Sequence, residues 1–331
     1  MLFLPEVRNV PDSVLLQSNY DTDPCRRQYT AALEAEDEMG RTVGIVGLGS
    51  IGLPIAVNMM GKGLDVHGYR RSAMTDFEAA GGRPAASPKA LAQTCDVIVT
   101  VLPDLAAVEE AICGPNGILA AGRKGITIID LSTLPMSGKD DLAGRVSAAG
   151  CRLMDCPISG VPQMIRDRGG ILFVSGGKDD FDANRDVLDG ISDKVFYLGE
   201  FGAGTKMKFI ANSLVSIHIL AAAEALAMGV KAGLDRDLMV KVLTPSAAGS
   251  LQFGVRAPLM MQRKYEPVLA ATSILSHDVP MFTQFADELG CEAPLLRVAE
   301  DYYKRALGTE WENKDAASII EIVAQANNMK L

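Results

Sequence analysis

From Thr42 onward, short apolar runs alternate with segments whose apolar positions recur at helical spacing. Thr42–Val46, Asp65–Tyr69, Val97–Leu102, Thr127–Leu131 and Arg152–Cys156 read as strands, rich in Val and Ile and bounded by Gly, Pro or Asp. Between them Ile51–Lys62, Pro88–Cys95, Ala106–Cys113 and Ser137–Ala149 read as helices. Alternation at this spacing predicts an α/β domain with a parallel sheet and crossover helices. Two further strands, Ile171–Ser175 and Lys194–Leu198, flank a helix from about Lys178 to Leu188.

Beyond Gly204 the strand signal stops. Helices rich in Ala, Leu and Met are predicted over Thr205–Ala232, Arg236–Leu243, Leu251–Gln262, Val279–Leu289, Pro294–Leu307 and Ala316–Ala326. The change of texture places a boundary near Phe201–Gly204. It gives a sheet domain over residues 41–203 and an all-helical domain over 204–331. Residues 1–40 differ from both: Pro5, Pro11, Pro24 and the acidic run Glu34–Glu38 predict a poorly ordered extension, with the natural start expected near Met39. The opening residues do not read as a signal peptide, because Met1–Leu4 lacks a basic flank and Pro5 with Glu6 ends the apolar run. Phe209–Val230 is the longest apolar stretch. It carries Asn212, Ser213, Ser216, His218 and Glu224, costly in lipid, so a helix buried in protein is expected rather than a membrane span.

A length of 331 residues fits two domains at ~150 residues each. A hydrophobic fraction of 48% with 22% charged residues is globular. The net charge of -9 provides no general field for nucleic acid or an anionic membrane, and neither partner is expected. Six cysteines without a CxxC pair point away from a disulfide framework or a zinc site and suit a reducing cytoplasm. The three histidines show no metal-binding spacing, and no metal is expected.

The most informative local motif is Gly47-Leu48-Gly49-Ser50-Ile51-Gly52, placed between a strand and a helix. Gly47 permits the tight turn, Gly49 lets the backbone approach a pyrophosphate, and Gly52 allows close helix–strand packing. The helix start then offers free N–H groups to phosphate. At the end of the second strand, where an acid would bind a ribose 2′-hydroxyl, the chain has Tyr69-Arg70-Arg71. Two guanidiniums there favour NADP(H) over NAD(H). Leu102-Pro103, Ser132-Thr133 and Pro157-Ile158-Ser159-Gly160 fall at strand ends, where nicotinamide and substrate are expected.

Lys208 and Asn212 are four apart, so on a helix they share a face and can reach one ligand. Lys206 points elsewhere. Met207, Phe209 and Ile210 surround Lys208 with apolar neighbours, a setting that lowers an amine's pKa and suits proton exchange with an alcohol or carbonyl.

Together, Gly47–Gly52, Asp155-Cys-Pro-Ile-Ser159-Gly160-Val161 and Gly202 through Lys208 to Asn212 resemble, in order, the motifs of the β-hydroxyacid dehydrogenase family. That family includes 3-hydroxyisobutyrate dehydrogenase, tartronate semialdehyde reductase and threonate dehydrogenase. The resemblance runs from about Arg41 to the C-terminus. It implies a Rossmann-type domain followed by an all-α domain, as in 6-phosphogluconate dehydrogenase, with the active site between them. It implies that Lys208 is the general acid/base and that Asn212 orients the substrate. Ser159, Gly160 and Val161 would hold the substrate carboxylate, while Leu102, Pro103, Thr133 and His277 would face the cofactor. A homodimer or homotetramer, joined through the helical domain, is also implied.

Three positions depart from the pattern: Val161 replaces a glycine, His277-Asp278 replaces a Lys-Asp pair, and Ser213 replaces an asparagine. The nominal substrate is tartronate semialdehyde. A threonate-type sugar acid, suggested by residues 247–250 and 315–319, and 3-hydroxyisobutyrate are the alternatives. A non-catalytic NADP-binding sensor is the alternative of another class.

Overall fold

The computed structural model describes residues 40–331. The expectations for the acidic N-terminal extension and for a start at Met39 fall outside them.

The first part of the chain builds β1 (Thr42–Val46), α1 (Gly52–Gly61), β2 (Asp65–Tyr69), α2 (Thr75–Ala79), β3 (Arg83–Pro84), α3 (Pro88–Thr94), β4 (Val97–Thr100), α4 (Leu105–Cys113), β5 (Thr127–Asp130), α5 (Met136–Ala148) and β6 (Arg152–Asp155). The six strands pair in the order β3-β2-β1-β4-β5-β6, all parallel. Strands β4 and β5 are buried along their whole length, as parallel strands covered on both faces must be. One face packs Ile55 and Met59 of α1 against Val43, Ile45 and Val99. The other packs Leu91, Val108, Leu142 and Val146 against Val46, Ile98 and Ile128. The order reverses between β1 and β4, so the crevice at their carboxyl ends is the ligand site of such a sheet.

A second, three-stranded sheet follows: β7 (Ile158–Ser159), α6 (Pro162–Arg166), β8 (Ile171–Val174), α7 (Lys178–Ala183), α8 (Arg185–Ile191) and β9 (Lys194–Tyr197), with β7 antiparallel to β8. The helix expected from Lys178 to Leu188 is therefore two helices. The chain leaves helical geometry at Asn184, whose Nδ2 donates to Asp180 O at 2.7 Å.

The helical part comprises α9 (Ala203–Lys231), α10 (Arg236–Leu243), α11 (Leu251–Gln262), α12 (Thr272–Glu288), α13 (Pro294–Ala306) and α14 (Ile319–Ala326). Helix α9 is long and apolar enough to cross a membrane by composition alone. Here it packs against each of α10 to α14, with Ile219, Ala223 and Leu226 fully buried in the helical core. The reading of α12 from Val279 was short by seven residues, the difference between positions 272 and 279. Pro280 sits inside this helix, where its missing N–H removes a single ladder bond. The turns before it are fixed from outside: Thr272 N donates to Lys314 O and Ser276 Oγ to Tyr303 O, both at 2.8 Å. His277 consequently lies within a helix.

Candidate active site

The glycine turn follows β1 into the crevice. Gly47 has φ +100°, and a Cβ there would lie 2.1 Å from Val101 O; a Cβ at Gly52 would lie 1.8 Å from Gly47 O. Both positions thus exclude a side chain. Gly49 differs, since a Cβ there would meet nothing within 4 Å. Its backbone borders open space, as contact with a phosphate group requires. Helix α1 begins without a side-chain cap and with no acid in its first turn. Its positive end therefore remains for an anion, beside the backbone of the Gly49–Gly52 turn. Leu48 is buried, while Ser50 is exposed and Ile51 half-buried. The residues present fit the pyrophosphate of a dinucleotide.

At the end of β2, Gly47 N donates to Tyr69 O at 2.9 Å, locking the turn to the strand. Arg70 folds back: Nη1 donates to Leu48 O at 2.9 Å and to Asp76 Oδ2 at 3.0 Å. Arg71 is exposed and has no polar side-chain partner among the described residues. The two arginines are not equivalent. On the neighbouring strand ends, Leu102 N donates to Ser132 Oγ at 3.1 Å, joining the loops after β4 and β5. Pro103 is exposed and Thr133 half-buried beside them.

Lys208 occupies the second turn of α9. Its Nζ donates to Ile158 O at 2.9 Å across 50 positions of sequence, directly beside Ser159 and Gly160. Burial pushes the amine down to about 8, against a weaker opposite pull from the Asp278 carboxylate. Asp278 itself is lifted by burial, opposed by His277 and Lys208, and its Oδ1 lies 3.0 Å from His277 Nδ1. The His277 side chain is 60% exposed. Asn212 is half-buried one turn beyond Lys208, and Lys206 is exposed. Ser213 Oγ donates to Phe209 O within its own helix at 2.7 Å, so this hydroxyl is satisfied locally.

The start of α9 is capped by other segments of the chain. Gly202 precedes it at φ +90°, and a Cβ at Gly204 would lie 2.4 Å from Phe173 O, so the helix end sits directly on β8. Asp155, at the end of β6, accepts from Thr205 N and Thr205 Oγ1, both at 2.7 Å. Gly204 N donates to Ser175 Oγ at 2.9 Å. Lys139 of α5 completes the joint, with Nζ 2.5 Å from Asp155 Oδ1 and 3.0 Å from Asp130 Oδ2. The second contact is off hydrogen-bond alignment, so that Asp130 oxygen is held by charge alone. Burial would lower this amine, but the two carboxylates outweigh it and raise it above the ordinary lysine value.

Two family models cover most of the chain. The NAD binding domain of 6-phosphogluconate dehydrogenase matches residues 42–199, and the NAD-binding domain of NADP-dependent 3-hydroxyisobutyrate dehydrogenase matches residues 202–323. The chain belongs to the β-hydroxyacid dehydrogenase family. An L-threonate dehydrogenase from Cupriavidus necator is 33% identical over 86% of this chain and 96% of its own length. The mitochondrial 3-hydroxyisobutyrate dehydrogenase of Mus musculus is 30% identical over 86% of this chain and 87% of its own. A crystal structure of 3-hydroxyisobutyrate dehydrogenase from Salmonella typhimurium superimposes with a TM-score of 0.78 at 27% identity, covering 85% of this chain and 99% of that one. The protein is an NAD(P)-dependent oxidoreductase of the hydroxyacid dehydrogenase type.

Against the pattern of β-hydroxyacid dehydrogenases, Val161 is half-buried at the start of α6, beyond the β7 edge that carries Ser159. Sequence reading left Asp76, Lys139 and Thr205 without a role. A signal existed for Lys139: with Leu142 and Val146 it forms an i, i+3, i+7 stripe on α5, and all three are buried. A lysine on an apolar stripe needs carboxylate partners, and Asp130 and Asp155 stand at the ends of adjacent strands.

Proposed function

We propose that the chain interconverts a small hydroxy acid and its oxo form, with NADP(H) preferred and Lys208 as general acid/base. The observation that carries this reading is the buried Lys208 amine, lowered to about 8 and bonded to the carbonyl beside Ser159-Gly160. When bound, the nicotinamide supplies the hydride acceptor or donor. In the oxidising direction neutral Lys208 takes the hydroxyl proton as the carbinol hydride leaves; in the reducing direction the ammonium returns that proton to the carbonyl oxygen. Asn212, on the same face of α9, orients the reacting oxygen. Ser159, Gly160 and Val161 receive the carboxylate. Leu102, Pro103, Thr133 and His277 border the nicotinamide half, and Gly47–Gly52 hold the pyrophosphate.

Among substrates, a four-carbon sugar acid of the L-threonate type is the foremost candidate, ahead of tartronate semialdehyde and 3-hydroxyisobutyrate. The 33% identity over nearly the whole of an L-threonate dehydrogenase supports that order. NADP preference is supported by arginine in place of an acid at position 70 and by the exposed Arg71. We also place residues 41–203 and 204–331 as the two domains, and assign a homodimer or homotetramer joined through the helical one.

The test is a panel of C3–C5 hydroxy acids and semialdehydes, each with NADP(H) and NAD(H), followed by absorbance. Lys208→Ala should lower kcat by about a hundredfold or more on any substrate found. Near-wild-type turnover in that variant would overturn the mechanism.

A further inference from the structure

The guanidinium at the end of β2 has no donor to spare. An arginine carries five N–H donors, and each one on Arg70 has an acceptor. Nε and Nη2 donate to Ala73 O, and Nη1 donates to Leu48 O. The outer fork of Nη1 and Nη2 donates to the two carboxylate oxygens of Asp76. That fork is the edge a phosphate would otherwise engage bidentately.

Asp76 is held there by its neighbour. Phe77 is fully buried, and its ring fills the space left by two glycines: a Cβ at Gly68 or Gly82 would fall 2.7 or 2.1 Å from it. Asp76 Oδ1 also accepts from Phe77 N at 2.9 Å. The Arg70 hydrogen bonds keep the Asp76 carboxyl below the usual carboxylate range, so it is ionised at neutral pH. The Arg70 side chain is 20% exposed and that of Asp76 47%, so solvent and ligand can reach the pair from one side.

We propose that Asp76 occupies the 2′-phosphate position on Arg70, so that NADP binding exchanges carboxylate for phosphate and Asp76 limits the preference for NADP over NAD. The carbonyls of Leu48 and Ala73 hold the guanidinium whichever anion sits on its outer edge. With NAD, the carboxylate stays and can accept a bond from the ribose 2′-hydroxyl. With NADP, a dianionic group must displace a carboxylate, assisted by the exposed charge of Arg71. This residue-level reading rests on the proposed placement of the adenosine ribose at the end of β2.

Isothermal titration of the full chain with NADP+ and with NAD+ tests it without any substrate. Asp76→Asn removes the competing charge but keeps an acceptor for Phe77 N, and Asp76→Ser serves as a second variant of the same kind. Each should raise the ratio of NADP+ to NAD+ affinity by about tenfold, the scale of one charge-assisted hydrogen bond to Arg70 that the phosphate no longer has to displace. In an Arg70→Met background the gain should vanish, because the exchange runs through that guanidinium. A ratio unchanged within about twofold in both variants, or a gain that persists without Arg70, would overturn the proposal. Wild-type protein that binds NAD+ more tightly than NADP+ would refute the cofactor preference above. It would not refute this inference, which is read from the change on substitution.

Discussion

At the scale of single residues, the proposed chemistry depends on how one amine is desolvated. Met207, Phe209 and Ile210 suggested an apolar setting for Lys208, and the direction of its shift agrees. The chain neighbours do not all share that setting: Phe209 is buried, but Met207 and Ile210 are 40% and 54% exposed, and the amine itself is held at Ile158 O. Sequence neighbours on a helix point to different faces, so a linear window cannot tell what will cover a side chain. The lowered amine fixes the sign of the pH dependence. Oxidation needs the neutral form, so kcat/KM for a hydroxy acid should rise with pH and level off above about 8. Reduction needs the ammonium and should fall across the same interval, as paired pH–rate profiles would record. Asp278→Asn removes the nearby charge that favours the ammonium, so both limbs should move to lower pH.

At the scale of elements, glycine positions separate packing from ligand contact. Gly52→Ala forces a carbon into the backbone of Gly47 and should lower the urea midpoint of the apo protein markedly, whereas Gly49→Ala has free space to enter. The second variant should unfold within about 1 kcal/mol of wild type while losing most of its affinity for the dinucleotide. Measuring both quantities on both variants distinguishes the two roles. Helix α9 carries another expectation. Thr205→Val removes one donor from the buried Asp155 carboxylate and should cost about 1–3 kcal/mol of stability, largely restored in Thr205→Ser. The elements themselves were largely legible, since alternating Val- and Ile-rich runs with Gly or Asp boundaries fixed every main-sheet strand except β3. That strand is two residues long and has no periodicity to read. The break at Asn184 and the passage of α12 through Pro280 were not legible, because both depend on bonds from distant segments.

At the scale of the whole molecule, the helical half leaves a set of large apolar side chains uncovered: Leu214, Met228, Leu234, Leu238, Leu251 and Ile274 are each more than half exposed. Exposed apolar side chains of this size suit an association surface, and the proposed homo-oligomer would cover them. Sedimentation equilibrium should give at least twice the chain mass, and Leu238→Asp should shift it toward the monomer. The order of the three motifs made the molecule's plan readable from sequence. What it left out was the joint beneath the crevice, because Lys139, Asp155 and Thr205 lie on separate elements and meet only when the fold is complete.

That joint constrains motion. Swinging α9 off the sheet is costly, since it would part Thr205 N and Oγ1 from the buried Asp155 carboxylate and Gly204 N from Ser175 Oγ. Rotation about Thr205 is therefore disfavoured where α9 leaves the sheet. Small-angle scattering curves recorded with and without dinucleotide should superimpose.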